Sequence, residues 1–207
     1  MITAVCTGGE APPASVALAW LDHCGTIAAA DGGLKFLKSV GRRAHLWVGD
    51  GDSLGDPASW SPWYDEALRL DSEKDDSDTD AAVAEALRRG ADEVWLLGGG
   101  GGRLDHWWSN LRLFAATPRL TRWLTAHEEA WNLKSGGSIE IPRGPVSVFP
   151  LGTGPWRVSS HGLKWPLGPV DFSRWHSLSN VAGPGARVEA AEGSFLVLRP
   201  LNEGKAS

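Results

Sequence analysis

Short apolar runs alternate with helical patterns over the first 125 residues. Strand candidates are ITAVCTG (2–8), TIAAADGG (26–33), HLWVGDGDS (45–53), EALRLD (66–71), EVWLLGG (93–99) and TRWLTA (121–126). Several are apolar without polar alternation, as parallel strands covered on both faces require. Between them fall helix patterns at about 13–23, 33–40, 78–90 and 105–116. The segment SDTDAAVAEALRRG (77–90) is the most explicit. Ser77 is placed to cap it, Asp78 and Asp80 occupy its first turn, Arg88 and Arg89 its last, and Gly90 ends it. This alternation predicts an α/β domain with a largely parallel sheet.

The pattern changes after about residue 126. Gly and Pro become frequent, the helical period fades, and β-like runs follow: SIEIP (138–142), VSVFPL (146–151), WRVSS (156–160), ARVEAAEG (186–193) and SFLVLRP (194–200). The expected organisation is an N-terminal parallel-sheet α/β domain over 1–126, followed by a smaller all-β sandwich domain over 127–207.

Composition narrows the class. The chain of 207 residues is 42% apolar, enough for a packed core, and carries a net charge of −5. A general nucleic-acid binder would show a basic stripe, so that class is excluded. No apolar run approaches the roughly 18 residues needed to span a bilayer. The first basic residue is Lys35, too late for the charged start of a signal peptide. The expectation is a soluble cytoplasmic protein with no membrane partner. Cys6 and Cys24 are too few for a disulfide framework and match no metal spacing, so they read as buried thiols.

Candidate chemistry gathers where strands give way to loops. The segments are ADGG (30–33), VGDGDS (48–53), SEKDDSDTD (72–80) and LLGGGGGRLDH (96–106). In an open α/β sheet such loops meet in the crevice beyond the carboxyl ends of the strands. There Asp31, Asp50, Asp52, Asp75, Asp78 and Asp105 would disfavour one another's ionised forms. A hard cation resolves that conflict, and Mg²⁺ is commonly held by one or two carboxylates, waters and substrate phosphates. The run Gly98–Gly102 lets backbone N–H groups approach an anion at the start of a helix. Arg103 adds a planar fork suited to phosphate oxygens. Neither a P-loop nor a dinucleotide fingerprint is present.

In their order and spacing, ADGG, VGDGDS, EKDDSD, LGGGGGRLDHWWSN, GLKWPL and SN resemble the thiamine pyrophosphokinase family over roughly residues 28 to 200. The match to G-G-R-[LF]-D-H-x-x-x-N and to G-D-x-D-S carries most of the likeness. The resemblance implies transfer of a diphosphate from ATP, the co-substrate, to the hydroxyl of thiamine, giving thiamine diphosphate and AMP. It implies a homodimer whose thiamine pocket lies at the subunit interface. By it, Asp50, Asp52 and Asp78 hold Mg²⁺ and the triphosphate, with Arg103 beside them in the catalytic set. Asp31, Lys74, Asp75, Ser77, Gly102, Asp105 and Asn110 fall on the nucleotide side, and Trp165, Ser179 and Asn180 on the acceptor side. Four departures stand out. Ser77 replaces a usual threonine, Gly51 a large apolar residue, Trp107 and Trp108 smaller residues, and Trp165 a frequent tyrosine. The alternatives are a diphosphotransferase acting on another alcohol such as a hydroxymethylpterin, and a catalytically silent nucleotide or thiamine sensor.

Overall fold

Successive burial along the first strands follows from their composition. Runs such as AVC, IAAA and VWLL have no polar residue to turn outward, and in the computed structural model they are covered on both faces. The structure describes residues 1–56, 59–73, 76–168 and 172–201. It is a mixed α/β chain that divides into two compact units, Met1–Phe114 with Arg122–Ala126, and Ala115–Thr121 with His127–Ser207.

The first unit is built from β1 (Ile2–Cys6), α1 (Ala14–Leu21), β2 (Thr26–Ala30), α2 (Gly33–Ser39), β3 (Ala44–Gly49), β4 (Tyr64–Arg69), α3 (Asp78–Arg88), β5 (Glu93–Leu97) and α4 (Leu104–Ala116). Strand β6 (Leu120–Leu124) follows, its last three residues belonging to this unit. The strand order is β6-β5-β1-β2-β3-β4, with β1 parallel to β2 and β5, and β3 parallel to β2 and β4. The order reverses at β1, so the loops after β1 and β5 part there and open a crevice at the carboxyl ends. Edge strand β4 is mostly exposed, as its charged residues require.

Helix α3 begins where its cap predicts: Ser77 Oγ accepts the Asp80 N–H at 3.1 Å. Its C-terminal end is held by charge. Glu85, almost wholly covered, accepts from Arg88 Nε and Nη2 at 2.6 Å and from Arg89 Nε at 2.7 Å, while Arg89 also grips Glu66 with two bonds. These donors, Arg88 first, hold the Glu85 carboxyl down at about 2. Tryptophans brace the same unit. The Arg122 guanidinium lies 4.5 Å from the Trp20 ring and 4.6 Å from the Trp95 ring, which meet edge to face. Both cysteines are free, Cys6 buried and Cys24 half-buried, and burial pushes the Cys24 thiol up to about 11.

The second unit comprises β7 (Glu128–Leu133), β8 (Ser138–Ile141), β9 (Gly144–Leu151), β10 (Arg157–Leu163), β11 (Ser177–Glu192) and β12 (Ser194–Pro200). Pairing is antiparallel in the order β10-β11-β9-β12-β7, with β8 on β11. All six strands contribute to one buried cluster that includes Val148, Val188 and Phe195. Two features depart from the sequence pattern. EEAWNL forms β7 despite its paired acids, because it ladders with β12 over six residues. The start of β11 is strand through AGPG, where the pairing with β10 shifts register between His161 and Leu163. That bulge lets one strand pair with β9 before it and β8 after it.

The Glu85 cluster generates a test. The folded carboxyl lies below its unfolded value of 4.5, so its contribution is full above pH 4.5 and disappears as pH falls through about 2. Glu85→Gln should destabilise the protein by about 2 kcal/mol at pH 7. In urea titrations across pH, the gap to wild type should close between pH 4.5 and 2.

Candidate functional site

All five carboxyl-terminal loops of β1 to β5 line one cleft in the first unit, of about 990 Å³. Thr7, Gly8 and Gly9 come from the end of β1, Asp31 and Gly32 from β2, Ser53 from β3, Asp76 to Thr79 from β4, and Gly99, Gly101, Gly102 and Arg103 from β5. Asp105, His106, Ser109 and Asn110 of α4 complete the wall.

Three acids meet at the strand ends. Asp31, Asp50 and Asp78 each place an oxygen within 4.8 Å of the other two, and all three are half-buried. Asp31 reaches this place through an unusual backbone: its φ is 37°, a region that Asp enters more readily than most residues. Its N–H donates to Val48 O at 2.8 Å, anchoring the turn on the neighbouring strand. Among the described residues its buried Oδ1 has no hydrogen bond of ordinary geometry, although Ser53 lies close by. Burial raises the Asp31 carboxyl above its usual range; the Ser53 hydroxyl opposes this in part, the Asp78 charge adds to it, and the Gly32 N–H and the Asp52 charge contribute less, in opposite directions. A half-buried carboxylate grouped with two others, one of its oxygens without a partner among the described residues, suits a small hard cation, which oxygen ligands would satisfy.

The glycine run is a built loop rather than a slack one. Gly98 N–H donates to Leu124 O at 2.9 Å, Gly99 N–H to Gly8 O at 3.0 Å, and Trp123 Nε1–H to Gly98 O at 2.7 Å. Buried Asn110 donates from Nδ2 to Gly99 O at 3.2 Å. At Gly99 the φ is +69°, and a Cβ would lie 2.3 Å from that Asn110 nitrogen, so no other residue fits. Asn110 therefore fixes the shape of the loop as well as lining the cleft.

The other expected residues take varied places. Asp52 is exposed and stands outside the trio, its N–H donating to Asp50 Oδ1 at 3.0 Å. Structure thus groups Asp31, rather than Asp52, with Asp50 and Asp78. Ser77 lines the cleft while capping α3, and Gly102 lies in the wall beside Arg103. Arg103 is exposed, its fork on Asp105 at 3.1 Å from Nε and 2.5 Å from Nη2. Each member of that pair favours the other's charge, raising the arginine and lowering the aspartate. Lys74 and Asp75 lie outside the described residues. In the second unit, Asn180 is 1% exposed and binds the Trp165 turn from both sides, accepting from its N–H at 3.1 Å and donating to its carbonyl at 2.7 Å. Trp165 itself is 53% exposed, with the Lys164 ammonium 4.6 Å over its ring. Ser179 is exposed at φ 53°, and its N–H donates to Ser147 Oγ at 3.0 Å.

Sequence reading missed Lys35 on α2, and the hydroxyls of Thr7 and Thr79, which meet at 2.7 Å in the buried wall. Thr7 sits directly after β1 where a Gly-Gly pair follows, a signal shared by the loops after β2 and β5. Lys35 gave none, since only the helix orientation turns it toward the cleft.

Fold and site together define an α/β chain whose parallel sheet ends in an acid-floored, glycine-walled cleft. Residues 18–122 match the family model for the thiamin pyrophosphokinase catalytic domain, and the chain belongs to that family. No curated protein matches it in sequence. Solved structures share its fold. The thiamin pyrophosphokinase family protein of Enterococcus faecalis is 22% identical with a TM-score of 0.76, covering 98% of this chain and 99% of its own. The Bacillus subtilis thiamine pyrophosphokinase is 19% identical with a TM-score of 0.77, covering 98% of this chain and 100% of its own. That of Candida albicans is 16% identical with a TM-score of 0.74, covering 97% and 90%. No helix among the described residues is long and apolar enough to cross a membrane.

Replacing one member of the trio separates its cost from its use. Asn tolerates the Asp31 backbone as Asp does and removes a buried charge that its neighbours oppose. Asp31→Asn should raise the thermal midpoint of the metal-free protein at pH 7 and weaken Mn²⁺ binding by at least about tenfold. A lowered midpoint with unchanged Mn²⁺ affinity would remove Asp31 from the site.

Proposed function

We propose that the protein transfers a diphosphate from ATP to the hydroxyl of thiamine, giving thiamine diphosphate and AMP. The convergence of Asp31, Asp50 and Asp78 within 4.8 Å, with Asp31 and Asp78 lining a cleft of about 990 Å³, carries this reading. A triphosphate brings negative charge to a site already rich in it, and the two are compatible only across a cation. Mg²⁺, held by the trio with Asp52 close enough to add its field, would supply Lewis-acid neutralisation of the phosphate oxygens. The glycine loop offers backbone N–H groups to the nucleotide, held in shape by Asn110 and Trp123.

The transfer is an in-line displacement. The alcohol oxygen attacks the β-phosphorus and gives up its proton to a cleft carboxylate or water. The bond from that phosphorus to the bridging oxygen of the α-phosphate breaks, AMP leaves from the opposite side, and no covalent enzyme intermediate forms. The chain's part is to position and to stabilise charge. Arg103 is exposed and, among the described residues, paired with Asp105, and an exposed ion pair is weak, so its fork can be drawn to phosphate oxygens. Trp165, Ser179 and Asn180 form the acceptor side in this reading, with Asn180 holding the turn and Trp165 offering an exposed indole face that already receives a cation. The thiazolium of thiamine is a cation of the kind such a face attracts. A homodimer completes the proposal, and the compartment proposed is the cytoplasm.

The test is product formation from ATP, Mg²⁺ and thiamine, with AMP and thiamine diphosphate both quantified. Equal amounts of the two, dependent on all three components, are expected. AMP without thiamine diphosphate, or no AMP, would refute the reading. Within the active enzyme, Arg103→Ala should lower kcat by about 10²–10³, with Lys a poor substitute because it lacks the fork.

A further inference from the structure

We propose that Trp47 is the positioning residue for the carboxylate trio, a single indole that sets Asp31 and Asp50 against each other. The inference rests on the reading of the trio as ligands of a divalent cation. Trp47 lies in β3 and is 2% exposed. Its partners across the sheet are Ala29 in β2 and Ala67 in β4, small side chains that leave room for an indole beside the strands.

The ring touches both segments that bear ligands. Its Nε1–H donates to the Asp31 carbonyl at 3.3 Å, so it grips the residue whose backbone takes the unusual φ of 37°. Its six-membered edge lies against the main chain on either side of Asp50. A Cβ on Gly49 would sit 3.2 Å from Trp47 Cζ2 and 3.1 Å from Asp31 Cβ. A Cβ on Gly51 would sit 3.5 Å from Trp47 Cη2, at a φ of +87°. Glycine at 49 thus brings the loop down onto both the indole and Asp31, and glycine at 51 keeps it there as the chain turns.

The indole is itself held. Tyr64 stacks on it with centroids 5.8 Å apart and planes at 25°, and the Arg69 guanidinium lies 5.7 Å from the ring. Trp60 closes the far side of the loop by donating Nε1–H to Leu54 O at 2.7 Å. The indole opposes the mutual repulsion of the acids through the Asp31 main chain rather than through a carboxylate oxygen. Residues that orient ligands in this way typically change metal affinity by about 10–100-fold when replaced.

Calorimetric titration of the nucleotide-free protein with Mn²⁺, paired with thermal unfolding in EDTA, tests the assignment. Trp47→Phe keeps a ring to stack on Tyr64 and loses the N–H, and it should weaken Mn²⁺ binding about tenfold. Trp47→Leu removes the supporting edge as well and should weaken it further, up to about 100-fold. A purely structural role would lower the unfolding midpoint and leave Mn²⁺ affinity of the folded protein at the wild-type value, which would overturn the proposal. If the leucine variant does not fold, the phenylalanine variant decides alone. Failure of the wild type to bind Mn²⁺ would overturn the metal reading and this inference together. Wild-type binding with unaltered variants would overturn only this inference.

Discussion

Like charges held together at the ends of parallel strands govern this protein. Two unit charges at such a separation repel by on the order of 3 kcal/mol in a partly solvated site. Asp31, Asp50 and Asp78 share a space where each oxygen lies within 4.8 Å of two others. Burial already resists ionisation of Asp31, and Asp78 and Asp52 resist it further. A chain built only for stability would not collect acids here. The arrangement is costly in isolation, and a cation among the three oxygens would offset that cost.

The surrounding fold supplies what the trio needs to persist. Parallel strands buried on both faces give rigid stems, so the loops leaving them start from fixed points. The order β6-β5-β1-β2-β3-β4 opens the crevice between β1 and β5, and the glycine wall forms there. Asn110 and Trp123 lock that wall with hydrogen bonds, while Ser77 caps α3 next to Asp78. Trp47 does for the opposite side what Asn110 does for the glycine loop. Each uses a buried polar hydrogen to fix a backbone carbonyl near the cleft.

Much of this was legible in the sequence wherever local chemistry decides the outcome. The capping serine, the acidic first turn and the closing glycine of α3 lie within one segment, and the apolar runs of the first unit announce a parallel sheet. The loops were legible as acid- and glycine-rich strand ends. Membership of the trio was not. GDGDS places Asp50 and Asp52 two residues apart, but their side chains go different ways, and Asp31 arrives from the neighbouring strand through a left-handed turn. That juxtaposition exists only once β2 and β3 are paired. Strand β7 was missed for a similar reason, since its pairing with β12 outweighs its own charged start. The Gly-Pro-Gly in β11 reads as a break and is instead a bulge within a strand.

The most direct measurement is diffraction from crystals grown with Mn²⁺, using its anomalous signal to locate the ion. The account predicts one strong peak bound by carboxylate oxygens of Asp31, Asp50 and Asp78, at about 2.0–2.2 Å as expected for a small divalent cation on oxygen ligands. A peak held instead by acids outside the trio, or no peak in the cleft at saturating Mn²⁺, would contradict it.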